Sequence, residues 1–162
     1  MDDPSDRAGQ RRGNEAREPA RYDRDLYSWA VEQAALLRAG RISEADALNI
    51  AEEIDDVGNE LYFRFESALR IILLHLLKWD HQPQRRSCSW WSSITVQRNQ
   101  VRRLLQKNPG LKSSVPQAFE AAYEDARAEA ASQTRLNPRA FPANCPYSFR
   151  DIMERAVDWP EE

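Results

Sequence analysis

Glycine is scarce in this sequence, with five residues in 162. The alternating runs of Val, Ile and Thr that build half-buried strands are scarcer still. The best of them, Ile94-Thr95-Val96, lies inside a helical pattern, so a sheet is excluded as the framework. No glycine-rich loop is present to cradle a phosphate. Cys88 and Cys145 are the only cysteines, and they form neither a disulfide framework nor a set with metal-ligand spacing. The opening residues are polar and lack the apolar centre of a secretory signal. No uncharged run is long enough to span a bilayer. The expectation is a cytoplasmic protein with reduced thiols and no membrane contact. The formal charge of −3 excludes no class of partner.

What the chain does have is helical periodicity, centred on residues 46–79. Ala47, Ile50, Ile54, Val57, Leu61, Phe65, Ala68, Ile72, Leu76 and Trp79 recur at three- and four-residue intervals. From Leu69 to Trp79 apolar side chains cover nearly every direction around the axis, so other helices must wrap this stretch. The expected fold is an all-α, single-domain bundle of four main helices and a short C-terminal one, over residues 21–160. Residues 1–20 carry no large apolar side chain after Met1 and are expected to be a disordered tail.

In chain order, the first helix is expected from Asp25 to Ala39, with Leu26, Trp29, Ala30, Gln33 and Leu37 inward and Gly40 ending it in a left-handed conformation. Ser43 to Asp46 reads as a capping box for the second helix, from Glu44 to Lys78. Those 35 residues would measure about 52 Å, against a diameter of about 37 Å for a compact domain of this size, so a kink or break is expected near Gly58. The competing possibility is a continuous helix that projects into a dimer. Ser87 or Ser89 caps a third helix, Trp90 to Asn108, whose inner face is Trp90 or Trp91, Ile94, Gln97, Val101, Leu104 and Leu105. A fourth, Ser114 to Gln133, packs through Val115, Phe119, Ala122, Tyr123, Ala126 and Ala130. The proline-bearing residues 136–146 form a strap, and Ser148 caps a short last helix that reaches about Val157.

Several stretches together carry a resemblance: Leu26-Tyr27-Ser28-Trp29, Asn49-Ile50-Ala51-Glu52-Glu53-Ile54, His75-Leu76-Leu77-Lys78-Trp79, Gln82-Pro83, Arg85-Arg86-Ser87, Tyr123-Glu124-Asp125-Ala126 and Phe141-Pro142-Ala143-Asn144-Cys145-Pro146-Tyr147. In this order they resemble the bacterial family catalogued as domain of unknown function twenty-nine, over about residues 22–160. Val57, Trp91 and Gly110 are small departures. The resemblance implies a helical fold in bacterial proteins and carries no assigned activity, cofactor or catalytic residue.

Charge is segregated along the chain. Between Ser43 and Glu60 there are seven acids and no base, whereas between Ser67 and Lys112 nine bases face one acid, Asp80. The plain reading is internal pairing between the two segments, with the remainder solvated. A nucleic-acid interface on residues 78–112, with Trp90 and Trp91 stacking and Arg85-Arg86 on phosphates, lacks a recognised motif in an acidic chain and is not expected. Glu53, Asp56 and Glu60 share one helical face, but no Glu-x-x-His pair accompanies them, and no metal or cofactor is expected. His75, between Leu74 and Leu76, reads as a core or boundary histidine satisfied by one hydrogen bond.

The densest polar-aromatic cluster is His75, Lys78, Trp79, Gln82, Arg85, Arg86, Ser89 and Trp90, and any ligand or partner site is expected there. No catalytic residue stands out. The favoured function is a non-catalytic interaction module that self-associates through an apolar helix face. The alternative is an enzyme or small-ligand or anion binder using the His75-Arg85-Arg86-Trp90 region. A deep pocket lined by His75, Arg85 and acids would favour the enzyme, and an open apolar surface the interaction module.

Overall fold

The computed structural model describes residues 22–160, so the tail expected over residues 1–20 lies outside the described residues. The chain is an all-α helical bundle: α1 (Leu26–Arg38), α2 (Ala47–His81), α3 (Cys88–Lys107), α4 (Val115–Thr134) and α5 (Phe149–Glu154), joined by short 3₁₀ turns. It divides into two compact units, the first ending at Glu53 and the second beginning at Ile54.

In the first unit the Asp25 carboxylate caps α1 by accepting from the Ser28 amide, and Gly40 takes the left-handed conformation (φ 72°) that a side chain would resist. Trp29 and Gln33 are buried, but Leu26 and Leu37, expected inward, stand about half in water. The indole Nε1 of Trp29 donates to Asp46 Oδ2 at 3.3 Å, and Gln33 Oε1 accepts from the Asp46 amide at 2.8 Å. Asp46 also accepts from the Asn49 side chain at 2.6 Å. It is therefore Asp46, not Ser43, that serves the start of α2. Residues 42–44 are taken up by a separate 3₁₀ turn, which leaves Ser43 outside the helix it was expected to cap.

The interruption expected near Gly58 is absent: α2 runs unbroken from Ala47 to His81. A Cβ added at Gly58 would meet nothing within 4 Å, so the glycine is neither crowded nor needed for a turn. An exposed glycine weakens a helix by about 1 kcal/mol relative to alanine but leaves the i→i−4 hydrogen bond intact, unlike proline. The length argument failed because it placed all 35 residues inside one core. The core begins only at Leu61 and Phe65, while Ile54 and Val57 are 65% and 62% exposed.

The second unit is built around the other half of α2. Phe65, Leu69, Ile72, Leu73, Leu76 and Leu77 have no exposed surface at all. Around them close Ile94, Val101 and Leu104 of α3, Ala118, Ala122, Tyr123, Ala126 and Ala130 of α4, then Phe141, Ile152 and Met153. The α4 alanines let its backbone approach closely. α4 ends with Arg135 in the left-handed region (φ 59°). Helix α3 starts two residues earlier than expected because Ser87, not Ser89, caps it, accepting from the Trp90 amide. α5 opens with a full capping box between Ser148 and Asp151 and stops at Glu154, short of the expected Val157. Arginines from α3 hold its end: Arg98 Nε donates to the Ile152 carbonyl at 2.6 Å, and Arg102 Nη2 to that of Met153 at 3.1 Å.

Two substitutions check this account by urea unfolding. Leu76→Ala is expected to cost about 2–5 kcal/mol, as a fully enclosed side chain leaves a cavity. Gly58→Ala is expected to raise stability by about 0.5–1 kcal/mol, since it fills open space on a helix already formed; a loss instead would mean that α2 bends at that point.

Candidate functional site

Two places in the second unit gather polar groups or open surface. The first is the predicted cluster. His75, Lys78 and Trp79 project from the last turns of α2, and Trp90 from the first turn of α3. Lys78 is only 8% exposed. Its ammonium lies 4.5 Å from the centroid of the Trp90 ring and donates to Gln133 Oε1 on α4 at 2.7 Å. Gln133 in turn donates to Glu129, which is paired with Arg70. A chain of polar side chains thus links α2, α4 and the Trp90 ring of α3. Burial pushes the Lys78 pKa down, and the nearby Glu129 charge opposes that.

His75 faces Trp90 with ring centroids 6.3 Å apart. Its Nδ1 is buried with no hydrogen-bond partner within the protein, so the single satisfying bond expected from sequence is not made by that nitrogen. Burial, with the Lys78 charge adding to it, lowers its pKa to about 4.

The rest of the predicted cluster does not converge. Gln82 turns to the Thr134 carbonyl (3.4 Å). Arg86 donates to the Trp79 carbonyl at 3.0 Å and lies over the Trp79 ring, closing the carboxyl end of α2 as a cation should. Arg85 and Ser89 are exposed. Of the bases in the 78–112 stretch, Arg85, Arg103, Lys107 and Lys112 are exposed. Lys78 and Arg86 are engaged internally, as are Arg98 and Arg102, while Trp91 donates to the Val157 carbonyl and meets Trp159 edge to face. Asp80 is held by Arg155 at 2.5 and 2.8 Å and by the Tyr147 hydroxyl at 2.7 Å. Burial raises the Asp80 pKa, but those two partners outweigh it and hold the carboxyl below its ordinary value.

The pairing expected between the acidic and basic segments is also not seen. Among the described residues, Glu44 pairs with Arg41 and Glu60 with Arg64 at 3.8 Å, both on neighbouring turns of chain. Glu52, Asp55 and Asp56 are exposed. Helices whose facing side chains are apolar or small, as here, bring few charges within reach of each other. Among the described residues no group of three or more His, Cys, Asp or Glu is placed to hold a metal.

The second place was not anticipated. An open groove of about 680 Å³ runs between α2 and α3. Its apolar surface comes from Phe63, Ala68 and Ile71 of α2 and Val96 of α3, and its polar border from Asp56, Asn59, Glu60, Arg64 and Ser67 of α2 and Gln97 and Gln100 of α3. Phe63 is 61% exposed and Val96 about half. A signal for it existed. Phe63 falls out of phase with the Leu61–Phe65–Ala68 stripe, and Val96 lies off the inner face of α3 set by Ile94 and Val101. Large apolar residues off the core stripe are where a second contact surface is read from sequence.

The family model described as "Domain of unknown function DUF29" matches residues 21–158. No curated protein and no solved structure matches the chain. No helix among the described residues is long and apolar enough to cross a membrane.

The buried His75 ring generates a pH signature. An unfolded histidine titrates near 6.5 and the folded one near 4, so the unfolded chain takes up the proton first as pH falls. Stability contributed above pH 6.5 is lost between 6.5 and 4. Discounted for the part of the ring that water reaches, the loss is about 1–2 kcal/mol. Denaturant midpoints at pH 7.5 and 4.5 check it: His75→Leu is expected to reduce the difference between them by that amount.

Proposed function

The chain belongs to the DUF29 family, and from that premise we propose that it is a non-catalytic protein–protein interaction module of the bacterial cytoplasm whose contact surface is the α2–α3 groove. The groove carries the reading. It is open rather than enclosed, it presents Phe63, Ile71 and Val96 together, and neither His75 nor Arg85, the residues that an enzyme pocket would have required, lines it. A half-exposed Phe and Val beside each other on an otherwise charged helix pair are what a partner's apolar side chains would cover. The domain is a single working unit in this proposal, with the α2 core as the rigid support and the groove as its outer face.

The His75–Trp90 region supports the alternative less well. Its one buried ammonium is already held by Gln133 and the Trp90 ring, and Arg86 is committed to the end of α2. A small anion placed there would have to displace those contacts first.

A photo-crosslinking phenylalanine analogue at position 96, in cells that express the full chain, tests the proposal. A discrete protein adduct is expected, lost when Phe63→Asp is added and unchanged by Arg85→Ala/Arg86→Ala. Circular dichroism and melting temperature verify that Phe63→Asp still folds, since the side chain is exposed. Absence of any protein adduct, or one indifferent to Phe63→Asp, would falsify the reading.

A further inference from the structure

We infer that the groove is filled by α1 of a second copy of this chain, so that two copies exchange their first helices reciprocally. The inference rests on the reading of the groove as a contact surface and names its occupant.

Helix α1 leaves a narrow stripe in water. Tyr27 is 80% and Val31 56% exposed, Ala35 follows one turn later, and an arginine stands at each end, Arg24 before the helix and Arg38 in its last turn, both exposed. Spacings of four, four and three residues put Tyr27, Val31, Ala35 and Arg38 on one face. The opposite side of α1 is where Trp29 and Gln33 are buried, so this stripe is not the one that holds the first unit together.

The groove matches the stripe in three respects. Its length from Asp56 to Ile71 along α2 is about 22 Å, and the 13 residues of α1 make about 20 Å. Its surface offers Phe63, Ile71 and Val96 to meet Tyr27 and Val31. Of its charged lining residues, Asp56 and Glu60 stand at one end and Arg64 further along, 3.8 Å from Glu60, so that end keeps an acidic excess at Asp56. An arginine-ended apolar helix complements that end. The acidic half of α2 from a second copy would not, because carboxylates would then face carboxylates across the contact. Exchange of α1 is also closed and self-complementary: each copy gives one helix and receives one, which doubles the buried area and leaves no free end to propagate a filament.

Sedimentation equilibrium of the full chain at micromolar concentration is the test. The expected result is a dimer that Tyr27→Asp/Val31→Asp and, separately, Phe63→Asp each weaken more than about 100-fold, with helix content and melting temperature retained because all three side chains are exposed. A mixture of the two variants is expected to recover a weaker heterodimer, since one exchanged helix still meets one intact groove. Of Arg24→Glu and Arg38→Glu, one is expected to weaken the dimer about three- to fivefold, with recovery when Asp56→Arg/Glu60→Arg is placed in the partner. A wild-type monomer overturns the inference, as does a dimer indifferent to Tyr27→Asp/Val31→Asp. So does a crosslink from position 96 to α1 within one chain. If the wild type is a monomer while position 96 captures a protein of different mass, the exchange is wrong and the groove reading stands. If position 96 captures nothing, both are wrong.

Discussion

The constraint on which the structure rests is that α2 cannot stand alone over its second half. Leu69, Ile72, Leu73, Leu74, Leu76, Leu77 and Trp79 together cover well over half of the helix circumference, and none is more than 5% exposed. Water on any side of that stretch would cost about 1.5–3 kcal/mol for every large side chain uncovered. The arrangement of α3, α4, the 136–146 strap and α5 follows from this. Each supplies one wall, and each has a matching line of residues: Ile94–Val101–Leu104 from α3, the alanine seam from α4, Phe141 from the strap, Ile152 and Met153 from α5.

The same constraint explains what was legible beforehand. A helix apolar on all sides announces its burial by composition alone, so the centre of the core, the all-α class and the inner faces of α3 and α4 could be read directly. Caps were legible where the side chain and the helix start coincide, as at Ser87 and Ser148. Asp46 was missed as the residue at the start of α2 because its role depends on Trp29 and Gln33, which reach it from 17 and 13 residues away. Spacing rules see one turn of helix and not a neighbour brought alongside. The continuity of α2 was missed for a different reason: a glycine in sequence does not say whether its Cα faces water or a turn.

The candidate site divides in the same way. The density of polar and aromatic residues in sequence grouped His75, Lys78 and Trp90, and they do meet. It did not supply Gln133 and Glu129, whose contribution depends on how α4 crosses α2. It also grouped Arg85 and Ser89 with that cluster on nearness in sequence, and both face solvent. The groove was visible only as a disagreement, two apolar residues that did not fit the inner stripes. Charge segregation pointed to a long-range attraction that the described residues do not use: the ion pairs far apart in sequence, Arg70 with Glu129 and Arg155 with Asp80, each take one partner from outside both segments.

The region from Tyr147 to Val157 has a bearing on how this chain comes into being. Its anchors lie far upstream: Asp80 receives Tyr147 and Arg155, 67 and 75 residues later, while Trp91, Arg98 and Arg102 hold backbone carbonyls at 157, 152 and 153. During synthesis the first four helices emerge from the ribosome with one wall of their core still inside the exit tunnel. The leucine-rich half of α2 stays partly uncovered until residues 147–157 have been made and can pack against it. The core therefore closes only when its last-made wall arrives, and the interval before that is when a chaperone would have the most surface to grip.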